Sequence, residues 1–95
     1  MDIAEKIVFE LECVSREIED AKEWVKRAAQ NIKRRAEYGV DEASNLVDGK
    51  RASLSWVEAL ASDAQEVQRA ENHYNTLIQK QKMLASWLIT IQDSE

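Results

Sequence analysis

Two long stretches of the chain carry apolar residues at spacings of three and four, with charged and polar residues between them. In the first stretch the two spacings alternate strictly, which is typical of a helix that packs along one stripe against a partner helix. We predict a first helix over residues 3–38, because Gly39 then follows as a left-handed helix stop. The apolar members of its stripe are Ala4, Ile7, Leu11, Val14, Ile18, Ala21, Val25, Ala28 and Ile32.

The second apolar series follows a capping box, formed by Ser55 and Glu58. The series steps by three or four, but two consecutive threes between Ala64 and Ala70 predict a local shift of the stripe, as in a stammer. We predict a second helix over residues 53–92. The members of its stripe are Val57, Leu60, Ala64, Val67, Ala70, Tyr74, Leu77, Gln81, Leu84, Leu88 and Ile91.

Residues 39–52 have a weaker pattern, which we interpret as the connection between the two helices. Within it, Asp41 can cap a short third helix that ends at Gly49. The sequence therefore predicts one all-α domain over residues 1–95, a long coiled-coil-like helical hairpin.

Charge favours an antiparallel hairpin. Residues 1–23 hold eight acids and three bases, whereas residues 24–37 hold five bases and one acid. In an antiparallel hairpin the basic end of the first helix lies beside the acidic start of the second, although each exposed pair adds only about 0.3 to 0.5 kcal/mol.

The core of two helices is thin, so we expect the chain to form a homo-oligomer, a dimer that closes a helical bundle. The apolar spacing predicts which side chains are buried, and eight of them decide whether the hairpin is correct. They are Leu11, Val14, Ile18, Val25, Val67, Leu77, Leu84 and Leu88.

Composition narrows the classes of protein that fit. The chain has no Pro and a single cysteine, Cys13, which excludes an internal disulfide and favours a reducing compartment. It has no apolar stretch near the roughly 18 residues that a membrane span requires. We expect a cytoplasmic protein without a membrane partner.

Catalysis would have to use His73 or Cys13. The other residue types in the chain seldom gain or lose a proton near neutral pH unless their surroundings shift their pKa strongly. Neither has neighbours at the spacing of a known catalytic, metal or phosphate motif. The sequence predicts no enzyme, no metal, no cofactor and no small-molecule substrate.

Two charged surfaces suggest alternative functions. A basic cluster at the end of the first helix suits phosphate binding, but it also complements the helix dipole in a chain whose net charge is −5, so direct nucleic-acid binding is disfavoured. An acidic row suits an inhibitor that mimics DNA, although such rows are usually solvated helix faces. The cluster is Lys26, Arg27, Lys33, Arg34 and Arg35; the row is Glu5, Glu12, Glu19 and Glu23.

Apolar residues near the C-terminus predict a protein-binding surface. We assign Trp24 and Trp56 to the core or its edge, whereas Trp87 and Met83 lie beside the main apolar line and, with Ile91, form a candidate anchor for a partner protein. Burial of this surface in a dimer, or against Ile3, Ile7 and Val8, is the alternative. The favoured function is a small helical adaptor or inhibitor that docks on a larger protein; a purely structural self-assembly module remains a further alternative.

Overall fold

Two long α-helices make up the described part of the chain. The computed structural model describes residues 2–44 and 49–94, and side chains outside 38–55. Helix α1 is Ile3–Ser44 and helix α2 is Gly49–Asp93. The two helices pack against each other, which confirms the all-α helical hairpin that the apolar spacing predicts.

Local hydrogen bonds close the first and last turns of the hairpin. The backbone N–H of Glu5 donates to Asp2 Oδ1 at 2.8 Å, so Asp2 caps the helix that begins at Ile3. After α2, the N–H of Ser94 donates to the carbonyl oxygen of Thr90 at 3.1 Å. A capping aspartate three residues before a glutamate therefore defines the start of α1.

Helix α1 extends past the predicted end at residue 38. Gly39 lies inside the helix, and no glycine in the described residues has a positive φ. Glycine stops a helix only when it takes the left-handed conformation, and inside a helix it costs about 1 kcal/mol relative to alanine. Strong helix formers such as Ala36 and Glu37 precede it and no proline follows, so the helix continues to Ser44.

Helix α2 begins at Gly49, before the predicted start at residue 53. Both ends of the predicted connection are therefore helical and belong to the long helices. The short third helix predicted from Asp41 is wrong in its first residues, which are part of α1. The rest of it falls on residues 45–48, outside the described residues.

The chain divides into two compact units, each containing a piece of both helices. The first combines Met1–Glu23 with Glu71–Glu95, and we call it the terminal unit. The second is Trp24–Ala70, the central unit.

The terminal unit contains a continuous apolar core. Six buried residues form one cluster, and Val14 among them is completely buried. The cluster consists of Ile7, Val14, Ile18, Ala21, Leu77 and Leu84, with Leu11, Tyr74, Ile78, Leu88 and Ile91 packed against it.

The predicted burial is confirmed in part. Val14, Ile18, Leu77 and Leu84 are buried, as predicted. The other four residues of the predicted set are half-buried rather than buried: Leu11, Val25, Val67 and Leu88.

In the part of the central unit whose side chains are described, polar contacts join the two helices. Its buried residues among those described are the small Ala28 and Ala70. Trp24 and Trp56 are half-buried, as their assignment to the core edge predicts.

The inward stripe of α2 differs from the predicted one in its first turns. Val57 is 51% exposed and Ala64 is exposed, whereas Trp56 and Asp63 are half-buried. With these two residues the threes and fours alternate without a break, so the predicted stammer is wrong. Apolarity was misleading here because a carboxylate occupies an inward position. The inward residues are Trp56, Leu60, Asp63, Val67, Ala70, Tyr74, Leu77, Gln81, Leu84, Leu88 and Ile91.

Candidate protein-binding surface

Trp87 and Met83 form an exposed apolar pair on α2, which we call the Trp87 surface. Each is 49% exposed, and they lie four residues apart, one helical turn. None of the described residues accepts a hydrogen bond from the Trp87 indole N–H. Trp87 therefore offers an apolar ring and a free donor, the two features that suit tryptophan to interfaces.

The position of this pair follows from its place beside the inward stripe. Met83 and Trp87 each come one residue before an inward leucine, Leu84 or Leu88. At about 100° per residue, a side chain one position before the stripe leaves the helix on one side of it. Packing against α1 therefore orients the pair without burying it.

Ile91 does not belong to the exposed surface, which corrects the predicted set of three. It is half-buried and packs against the core cluster of the terminal unit. The reason is its spacing: Ile91 lies seven residues after Leu84 and so continues the inward stripe.

Two threonines extend the Trp87 surface along the helix, seven residues on either side of Met83. The Thr76 hydroxyl donates to the Asn72 carbonyl oxygen at 2.9 Å, and the Thr90 hydroxyl donates to the Ser86 carbonyl oxygen at 3.0 Å. Because these hydroxyls are bonded to their own helix, the threonines add little free hydrogen-bonding capacity to the surface.

The charge on α2 next to the Trp87 surface is positive. Residues 72–92 contain no Asp or Glu, although the chain has 18 acids in all. A shallow groove of about 650 Å³ beside Met83 is lined by Lys80 and Lys82 together with polar residues, Thr76 and Gln79. The lysines of α2 beside this apolar pair suit an acidic partner, whereas Glu10 and Glu17 on the same side of α1 carry the opposite charge.

Other large apolar residues of the terminal unit are exposed as well, and the sequence pattern did not single out most of them. Phe9 is 54% exposed and Ile89 is 59% exposed. Ile3 and Val8 are 65% and 43% exposed; the sequence analysis named them among the residues that could bury Trp87. Counting positions from the inward stripe would have found Phe9, because it follows Ile7 by two residues and so points away from the core.

The two tryptophans of the central unit differ from Trp87 in their hydrogen bonding. The Trp24 indole N–H donates to Glu66 Oε1 at 2.8 Å, and the Trp56 indole N–H donates to the Arg35 carbonyl oxygen at 2.8 Å. Both bonds join α1 to α2. These tryptophans therefore stabilise the fold, whereas Trp87 does not contribute such a bond.

The predicted basic cluster is exposed but does not form an uninterrupted positive surface. Arg35 Nε lies 2.6 Å from Asp63 Oδ2, and that carboxylate also lines a shallow recess of about 320 Å³ beside Arg34. Glu23 and Glu37 are exposed at the two ends of the cluster. Carboxylates at these places repel a phosphate group. The cluster members, all exposed, are Lys26, Arg27, Lys33, Arg34 and Arg35.

The predicted acidic row is exposed along α1 and includes bases. Lys22 Nζ lies 3.1 Å from Glu19 Oε1. Arg16 lies on the same helix face, four residues after Glu12 and three before Glu19. The row also includes Glu5 and Glu23, which are exposed.

His73 and Cys13 are the two residues that the sequence offers for catalysis. His73 is exposed and Cys13 is half-buried. Among the side chains that the structure describes, those of residues 2–37 and 56–94, no three of His, Cys, Asp or Glu come together as metal ligands. None of the helices in this described part is long and apolar enough to cross a membrane.

Comparisons with protein-family models, with curated proteins and with solved structures found no match to this chain. The function proposed below therefore rests on the residues and contacts described above.

Proposed function

We propose that the protein is a non-catalytic protein-binding module, a small helical adaptor or inhibitor that docks on a larger protein through its helix faces. The observation that carries the proposal is the half-exposed pair Trp87 and Met83, one turn apart on α2 and outside the core cluster. Tryptophan is among the residues most enriched at binding hot spots. A cytoplasmic location is part of the proposal and is supported by the single Cys13.

The spacing of the surface indicates how it binds. Lys80, Met83 and Trp87 follow one another at intervals of three and four, the pattern with which an amphipathic helix lies in an apolar groove of another protein. Lys80 is exposed at the edge of this line. The partner therefore offers an apolar groove with carboxylates on the rim, which pair with Lys80 and set the orientation.

Affinity capture with the full chain as bait tests the proposal, using the wild type, Trp87→Ala and Phe9→Ala. Phe9 is a matched control, since it is an aromatic residue of similar exposure on the other helix. We expect a protein that the wild type and Phe9→Ala retain and that Trp87→Ala loses. Equal retention by all three baits, or retention of none, would contradict the proposal.

The salt dependence of the captured complex separates this function from phosphate binding. An apolar anchor with a few charged contacts responds weakly to salt, whereas the affinity of a protein that neutralises several phosphates falls steeply with log salt. We expect the dissociation constant to change by less than about tenfold between 50 and 200 mM salt, against roughly 10³ or more for a nucleic-acid complex with 6–10 phosphate contacts.

A further inference from the structure

A second apolar surface lies on the other side of the terminal unit. Ile89 and Ala85 each come one residue after an inward leucine, and on α1 Val8 comes one residue after Ile7. In an antiparallel helix pair, positions that follow the inward residues on both helices point to the same side. Val8, Ala85 and Ile89 therefore share a flank, which we call the Val8/Ile89 flank, and Trp87 lies on the opposite side.

Both helices present apolar groups on this flank. Val8 is 43% exposed and Ile89 is 59% exposed, while Ala85 and Ile78, which also follow inward leucines, are half-buried. In helical bundles each helix adds a flanking position of this kind to its inward stripe, because it contacts two neighbours rather than one. The flank thus has the apolar pattern of a helix pair that packs against a second pair.

Charges along the rim of the flank identify the second pair. On α1 the exposed Glu12 and Glu19 also follow inward residues, and on α2 the exposed Lys82 does so. Between residues 5 and 19 the charges on the α1 rim are acidic, and between residues 77 and 92 Lys82 is the charge on the α2 rim, whereas Lys22 and Glu71, of opposite sign, follow inward residues beyond these ranges. If α1 of one molecule lies on α2 of another copy, the α1 carboxylates face Lys82 at both contacts of a two-fold arrangement.

The heights of these groups agree with such an arrangement. Ile7 and Leu11 on α1 and Leu84 and Leu88 on α2 pack in one core cluster. Glu12 follows Leu11 and Lys82 precedes Leu84 by two residues, so in an antiparallel pair both lie beside the same end of this cluster. The two-fold axis is then parallel to the helices, so that each helix keeps its height in the pair.

We propose that the Val8/Ile89 flank packs against the same flank of a second copy of this chain, with α1 of each copy on α2 of the other and Glu12 of each facing Lys82 of the other. This inference goes beyond the proposed function and does not depend on it, because Val8, Ala85 and Ile89 lie on the opposite side of the terminal unit from Trp87. Lys82 also lines the groove beside Met83, so Glu12→Lys on α1 is the charge variant that separates the two surfaces.

Sedimentation of the full chain at micromolar concentration tests this interface. We expect the wild type to sediment as a dimer. Glu12→Lys and Lys82→Glu, each alone, place like charges opposite each other at both contacts and weaken dimerisation at least about tenfold, since such contacts cost more than 1.4 kcal/mol. An equal mixture of the two variants places opposite charges at both contacts, so it forms a heterodimer of near wild-type stability.

Three controls keep the result specific. Glu17→Lys makes the same charge change one residue before the inward Ile18, on the other side of the unit, and leaves the dimer intact. Trp87→Ala, on the same side as Glu17, also leaves the dimer intact. Circular dichroism checks that each variant is helical, and where a charge variant does not fold, Ile89→Gln replaces it and yields a folded monomer.

The alternative outcomes are equally definite. A wild-type chain that sediments as a monomer overturns the proposal. A mixture that remains monomeric while each variant is folded overturns the reciprocal pairing of Glu12 and Lys82. If Trp87→Ala dissociates the dimer, the chain self-associates through the Trp87 side of the unit, and the proposed interface is overturned.

Discussion

At the scale of single residues, the hairpin depends on a small number of buried side chains. Val14 is completely buried and Ile18 is 5% exposed, both in the terminal unit. Spacing predicted these positions because apolar residues at heptad intervals have one way to leave water in a helix pair. It did not predict that Val25 and Val67 are only half-buried, because spacing specifies the side of the helix on which a residue lies and not how completely its neighbours cover it.

Replacing Ile18 by Ala should destabilise the protein by about 2 to 5 kcal/mol, because the truncation removes buried methyl groups and leaves a cavity. The measurement is urea unfolding at one fixed protein concentration, since self-association contributes to apparent stability. Val57→Ala is the matched control at an exposed position and should change stability by no more than about 0.5 kcal/mol. Equal effects at the two positions would mean that Ile18 is not in a packed core.

Arg35 and Asp63 should show a measurable coupling. Their 2.6 Å contact joins α1 to α2, and the Asp63 side chain is only 19% exposed, although Arg35 is about half exposed. We expect a double-mutant cycle with Arg35→Ala and Asp63→Ala to give about 0.5 to 1 kcal/mol. The same cycle on Lys22 and Glu19, exposed and within one helix, should give less than about 0.5 kcal/mol. The reverse order would contradict an inward position for Asp63.

At the scale of helices, the two elements were predictable and their ends were not. Apolar residues whose spacing alternates between three and four over many turns predict a helix over that whole stretch, because each of them lies on the same stripe of the helix. Helix ends depend on a few local conformations, and Gly39 is an example: its type permits a left-handed stop, but its backbone is helical. The α2 stripe was misjudged between Val57 and Ala64 for a related reason, since a polar Asp63 at an inward position cannot be recognised by hydrophobicity.

Replacing Gly39 by Ala tests the continuous α1 helix. In a helical conformation, alanine should raise the free energy of unfolding by about 0.4 to 1 kcal/mol, because it lowers the entropy of the unfolded chain and favours the helix. In a left-handed stop the same change would destabilise the protein, since alanine is strained at positive φ. Thermal unfolding followed by circular dichroism gives the sign, and a lower midpoint would contradict the helix through residue 39.

At the scale of the molecule, the terminal unit presents two apolar surfaces on opposite sides of one core. The Val8/Ile89 flank has Glu12 and Lys82 on its rim, the proposed contacts to a second copy, and the Trp87 surface has Lys80 and Lys82 beside it on α2. The sequence placed Trp87 and Met83 outside the core, because both lie beside the inward stripe. It missed the exposed Phe9 and Ile89, and it included Ile91, because apolarity alone does not distinguish the inward stripe from the surface beside it.

The most direct test of the proposed function is the dissociation constant of the captured partner for the wild type and for Trp87→Ala, together with the thermal unfolding of both proteins. We expect Trp87→Ala to weaken binding at least about tenfold, since truncation of such an anchor typically costs about 2 kcal/mol or more. The unfolding midpoint should stay nearly unchanged, because Trp87 is half exposed and its indole makes no hydrogen bond to a described residue. Unchanged binding, or a variant that unfolds, would contradict the account by assigning Trp87 to the protein's own fold.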